Sequence, residues 1–113
     1  MTTVTLFTRN DGEILGFAAK GHAGYADAGE DIVCAAISAL TQATEYGLTE
    51  VVRVPVERRL NEKRADYAVE LSDSADPAAR RQAQILLKTL SGSLQAIAND
   101  YPRHIRIIFQ ERR

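Results

Sequence analysis

The apolar residues of this chain switch repeatedly between a period of two and a helical period, and that alternation restricts the fold more than any other feature. Thr3 to Arg9 alternates imperfectly and is rich in Val, Thr and Phe, and an extended apolar pattern resumes from Glu13 to Lys20. Asn10-Asp11-Gly12 between them is turn chemistry, so the two runs read as a β-hairpin. Gly21 to Glu30 has no useful period and reads as a loop. Val33, Ala36, Ile37, Leu40, Ala43 and Thr44 then fall at helical spacing, with Leu48 close by, which predicts an amphipathic helix from Asp31 to about Tyr46. Gly47 is a natural place for it to stop, and either Asp27 or Gly29 is the expected cap. Glu30 and Asp31 suit the positive end of its dipole.

Val52, Val54 and Val56 alternate with Arg53, Pro55 and Glu57, predicting a strand that Pro55 confines to an edge or a bulge. Arg58, Arg59, Glu62, Lys63 and Arg64 read as a charged, solvated connection. Tyr67, Val69 and Leu71 mark the next strand. Asp76-Pro77 is a helix opening, and Ala83, Leu86, Leu87, Leu90, Leu94, Ile97 and Ala98 form one face of a long helix that Pro102 ends. Ile105, Ile107 and Phe109 complete a final strand. The order is ββαββαβ, an α+β domain in which two helices pack on a mixed sheet of about five strands. The pattern leaves the strand order open.

A length of 113 residues supports one core, so the chain is read as a single domain over 1–113. With no Trp, that core is aliphatic. Met1 to Phe7 has neither a basic leader nor a long apolar run, so no membrane partner and a cytoplasmic location are expected. Fourteen Lys and Arg against fifteen Asp and Glu make a poor footprint for nucleic acid, and a protein or peptide partner fits better. A single cysteine cannot form an internal disulfide, which leaves Cys34 for packing or for chemistry.

Cys34 and His22 bracket the glycine-bearing loop, twelve positions apart. A cysteine protease needs a thiolate to attack a peptide carbonyl and an imidazole to hold the proton and later deliver it to the leaving amine. A helix start favours the thiolate and offers N–H groups for an oxyanion, although Glu30 and Asp31 oppose negative charge there. Helical geometry places Cys34 off the centre of the Val33-Ile37-Leu40 stripe, on a flank shared with Ser38, Thr41 and Glu45. Ser38 is a candidate hydrogen-bond partner for substrate or sulfur, and Asp31 a candidate for orienting His22. Against this, Ile-Val-Cys-Ala-Ala-Ile looks like a packed helix, and by spacing alone packing outweighs catalysis. The spacing of His22, Asp27, Asp31 and Cys34 matches no strong ligand pattern, so neither a metal nor another cofactor is expected.

Gly-His-Ala-Gly-Tyr at 21 to 25, followed by Gly-Glu-Asp-Ile-Val-Cys-Ala-Ala-Ile-Ser at 29 to 38, resembles the signature of the ribosomal-processing cysteine protease family, Prp. The resemblance extends through nearly the whole chain, including Tyr101-Pro102 before the last strand. It implies a cysteine endopeptidase, usually a homodimer, that removes a short N-terminal extension from the large-subunit ribosomal protein numbered twenty-seven, cleaving after an aromatic pair. It also implies Cys34 as nucleophile and His22 as general base, with Gly21, Asp31 and Ser38 in support and Gly21 letting the loop over an apolar groove open. The predicted edge strand around Val54 is one possible dimer seam. Two other functions remain compatible with the residues: a non-catalytic ribosome-associated binding module, and a single-thiol redox sensor in which His22 only tunes Cys34.

Overall fold

The computed structural model describes residues 1–22, 24, 26–27 and 31–112. Thr2–Thr8 (β1) and Ile14–Lys20 (β2) form the expected hairpin. In its turn the Gly12 N–H donates to the Arg9 carbonyl, and the Glu13 N–H donates to the Asp11 carboxylate. Ile32–Tyr46 (α1), Val56–Asn61 (β3), Asp66–Leu71 (β4), Pro77–Asp100 (α2) and Ile105–Glu111 (β5) follow in the predicted ββαββαβ order. The sheet runs β3-β4-β2-β1-β5, antiparallel throughout except for the parallel pair β1–β5. Since β4 and β5 therefore point the same way, the connection between them must cross the sheet, and α2 makes that crossing.

Both helices bury their apolar faces on one side of the sheet, where Val4 and Leu6 of β1, Phe17 of β2 and Val69 and Leu71 of β4 meet Val33 and Ile37 of α1 and Ala83, Leu87, Leu90 and Leu94 of α2. The core is aliphatic apart from Phe17. Helix α2 starts as its sequence dictates: the Asp76 carboxylate accepts from the Ala78 and Ala79 N–H groups, and Pro77 occupies the first turn. In α1 the buried stripe is rotated slightly from expectation, with Thr41 buried and Ala43 exposed. Burial of Thr41 is tolerable because its hydroxyl donates to the Ile37 carbonyl at 2.9 Å.

Local pattern misled the reading between α1 and β3. Gly47 ends α1 as expected, but it keeps helical dihedrals, and the chain continues through a π-type turn, Gly47–Val52, to Arg53, which takes the left-handed conformation. Gly47 is buried against Leu86 of α2, so here glycine serves the close approach of the helices. Val52 and Val54 consequently belong to a helical turn and a corner rather than to a strand, and their alternation with Val56 spans three different local structures. Val54 is 2% exposed, which removes it as a dimer seam. The edge strand in this part of the chain is β3, with β5 at the opposite edge of the sheet, and β3 includes Arg58 and Arg59, which were expected in a connection. Charged side chains suit such an edge, because they discourage pairing with a further strand.

Gly16 marks a close approach of β2 to β4. A Cβ there would lie 2.3 Å from the Val69 carbonyl oxygen and 2.7 Å from the Glu70 Cα. Backbone on both sides has no room to yield, so Gly16→Ala is expected to lower the stability by about 3 kcal/mol in urea denaturation. An unchanged midpoint would show that the two strands are not in this close register.

Candidate active site

Helix α1 delivers Cys34 in its first turn. The residue that caps it is Asp31, with extended dihedrals and a carboxylate oxygen that accepts from the Cys34 N–H at 2.9 Å. The expected caps were Asp27 or Gly29; Gly29 lies outside the described residues, and the observed cap excludes Asp27 from the role. The physical reason is spacing, since an Asx cap must stand immediately before the first helical residue to reach the N–H three positions on. Asp31 is 9% exposed and Cys34 is half-buried, so the thiol is neither sealed in the core nor displayed on the surface. Because the cap engages the Cys34 N–H, Ile32 and Val33 are left as the first-turn donors that it does not use.

His22 arrives from the end of β2 by way of Gly21. Gly21 has φ +88°, and a Cβ on it would lie 2.8 Å from the Met1 carbonyl oxygen, so only glycine fits both its dihedral and its space. Its N–H donates to the Ala65 carbonyl at 3.0 Å and its carbonyl accepts from the Thr2 hydroxyl at 3.4 Å. The backbone that carries the exposed His22 therefore starts from a point tied to β1 and to the β3–β4 turn.

His22, Cys34 and Ser38 together line two adjoining cavities. The smaller, about 430 Å³, extends past Asp31 and Ala35 toward Gly24 and Ala26. The larger, about 860 Å³, runs along α1, with Ile37, Gln42 and Tyr46 on the helix side and Leu60 and Tyr67 on the β3–β4 side. All five site residues from the sequence (Cys34, His22, Gly21, Asp31 and Ser38) thus border this one region.

A second group in the larger cavity was not legible locally. The Glu45 carboxylate accepts from the Tyr67 hydroxyl and pairs with Arg58 Nε at 2.7 Å. The Arg58 guanidinium lies 5.4 Å from the Tyr67 ring centroid, and that ring packs edge-on against Phe17. Glu45 was recognisable as sharing the flank of Cys34, but Arg58 and Tyr67 reach it only because β3 and β4 pair beside α1. No sequence-local signal links them.

The architecture is shared by solved structures of one kind of protein. The ribosomal processing protease Prp of Staphylococcus aureus with a covalently linked product peptide superposes with a TM-score of 0.86 at 24% identity, covering 97% of this chain and all of that one. Its complex with a substrate peptide gives a TM-score of 0.82 over the same coverage. The sequence carries the likeness further than fold: the family model described as cysteine protease Prp matches residues 1–106. The Bacillus subtilis ribosomal processing cysteine protease Prp is 30% identical over 107 residues, 95% of this chain and 96% of that protein. The chain belongs to the cysteine protease Prp family, as the motif over 21 to 38 implied. Among the described residues no helix is long and apolar enough to cross a membrane.

Burial first, and then the hydrogen bond and charge of Glu45, push the Tyr67 phenol well above its ordinary value, with Arg58 acting weakly in the opposite sense. Above about pH 10 an unfolded chain releases this proton while the folded one keeps it. The stabilisation is therefore complete below that pH and is lost as the pH rises toward the folded value. Between about pH 9 and about pH 11 the urea midpoint is expected to fall less in Tyr67→Phe than in the wild type. Equal falls would exclude Tyr67 as the linked group.

Proposed function

We propose that this chain is a cysteine endopeptidase that removes the short N-terminal extension of a large-subunit ribosomal protein, the one numbered twenty-seven, by cleaving after an aromatic pair. The observation that carries the reading is that Cys34 and His22 border the same two cavities, with the thiol in the first turn of a helix. Their joint cleft is elongated and has apolar side chains on both walls, as an extended peptide with aromatic residues requires. The covalently linked product peptide in the Staphylococcus aureus relative supports a covalent route.

In the reaction, His22 takes the thiol proton and the Cys34 sulfur forms a bond to the scissile carbonyl carbon. The resulting oxyanion is held by first-turn N–H groups, those of Ile32 and Val33 being the ones that the Asp31 cap does not use. His22 then gives its proton to the leaving amine as the C–N bond breaks, which leaves a thioester on Cys34. Water, deprotonated by His22, attacks that thioester and returns the thiol and the product carboxylate. Asp31 supports the pair by fixing the start of α1 and orienting His22, Gly21 sets the path of the His22 backbone, and Ser38 hydrogen-bonds the substrate. No cofactor takes part, and the chain works in the cytoplasm as a homodimer.

Purified protein incubated at neutral pH with a peptide containing Phe-Phe tests this. The wild type is expected to cleave it, Cys34→Ala to lower the rate at least about 10³-fold, and His22→Ala to lower it by about 10² to 10⁴-fold. Wild type and Cys34→Ala leaving the peptide equally intact would overturn the proposal. Light scattering that finds only monomer would remove the dimer.

A further inference from the structure

The larger cavity continues far beyond the dyad. From Cys34 to Glu45 is eleven residues of helix, about 16 Å of rise with the two side chains within about 20° of the same direction. An extended peptide covers that span in about five residues. At the distal end the cavity wall is not merely apolar, because Glu45 and Tyr67 hold Arg58 against it.

Resting on the peptide-cleaving reading above, we propose that Arg58 is a distal substrate-binding residue, which grips main-chain carbonyl oxygens of an extended peptide about five residues from the scissile bond. Glu45 is its positioning residue. The arrangement has the features of a preorganised donor. Arg58 is fixed by two separate contacts, the Glu45 carboxylate at 2.7 Å and the Tyr67 ring at 5.4 Å, yet its side chain keeps 48% exposure. Glu45 engages Arg58 through Nε, and a guanidinium that is half exposed carries further N–H donors that an acceptor in the cavity can reach. Tyr67 keeps its proton and so remains a donor to Glu45 throughout the neutral range.

The charge around Arg58 decides the kind of acceptor. Glu50 and Glu62 line the same cavity, and Glu45 already balances Arg58, so an acidic side chain would meet an excess of negative charge. A neutral carbonyl gains a charge-assisted hydrogen bond without that repulsion. The next residue of β3 provides an internal contrast. Arg59 points to the opposite face of the sheet, pairs with Glu70 at 3.5 Å and borders none of the cavity that holds Cys34.

The test uses the intact chain carrying Cys34→Ala and three fluorescein-labelled peptides. One has Phe-Phe with two flanking residues on each side; the others extend it by six residues on one side or the other. One extended peptide is expected to bind at least about tenfold tighter than the short one. Adding Arg58→Ala is expected to erase that gain and leave the short peptide's Kd unchanged, Arg58→Lys to restore part of it, and Arg59→Ala to change neither. Weakening of short and long peptides alike by Arg58→Ala would mean that Arg58 only supports the fold, and would overturn the proposal. Absence of a length effect, or of any binding, would also overturn it. Cleavage by the chain with Cys34 intact separates the two readings. Arg58-dependent binding without cleavage leaves the subsite standing and removes the protease; cleavage without a length effect does the reverse.

Discussion

One hydrogen bond, from the Cys34 N–H to the Asp31 carboxylate, fixes the register on which the site depends. It sets where α1 begins, and a helix has no further freedom once its first residue is set. Cys34 thereby becomes the third helical residue, close to the N–H groups that favour negative charge, while Val33 and Ile37 are committed to the core. A start one residue earlier or later would rotate the thiol by about 100°, off the flank that borders the cavities. The carboxylate that secures this geometry also brings a negative charge near the thiol, which the proposed mechanism has to offset as the thiolate forms.

From that origin α1 acts as the straight wall of the cleft. Ser38 follows one turn after Cys34, and Gln42 and Glu45 continue the same side. The opposite wall is a hairpin of β3 and β4, whose outer strand is charged because it is an edge and whose inner strand supplies Tyr67. Glu45 ties the two walls together through Arg58 and Tyr67, and the Tyr67 ring is anchored in turn on the buried Phe17. The distal end of the cleft is thus joined to the core by a continuous chain of contacts.

Most of the fold was legible because its signals are local. The Asn-Asp-Gly turn, the Asp76-Pro77 start and the Pro102 stop each act within a few residues. The errors arose where two tertiary demands met. Gly47 ends α1 as its propensity suggests, but its missing side chain is used against Leu86 and its dihedrals stay helical, so a π-type turn follows instead of a corner. That continuation drew Val52 out of the strand that its alternation predicted, and moved the edge strand toward Arg58. Asp31 was recognised as favourable near the helix start, while its role as the cap emerged only from the position of the first helical residue.

Of the candidate site, the sequence by itself determined the residue types and their neighbourhood: a lone cysteine at a helix start, a histidine beyond a glycine, and Ser38 and Glu45 on the cysteine's own flank. These follow from helical period and bond chemistry, which need no knowledge of distant contacts. Only the tertiary structure decided that β3 and β4 close the far side of the cleft, that Arg58 faces it while Arg59 faces away, and that Glu45 unites them. The reason is that strand order and pairing register are set by long-range burial, and a shift of one residue in a strand reverses which side chain meets the cleft.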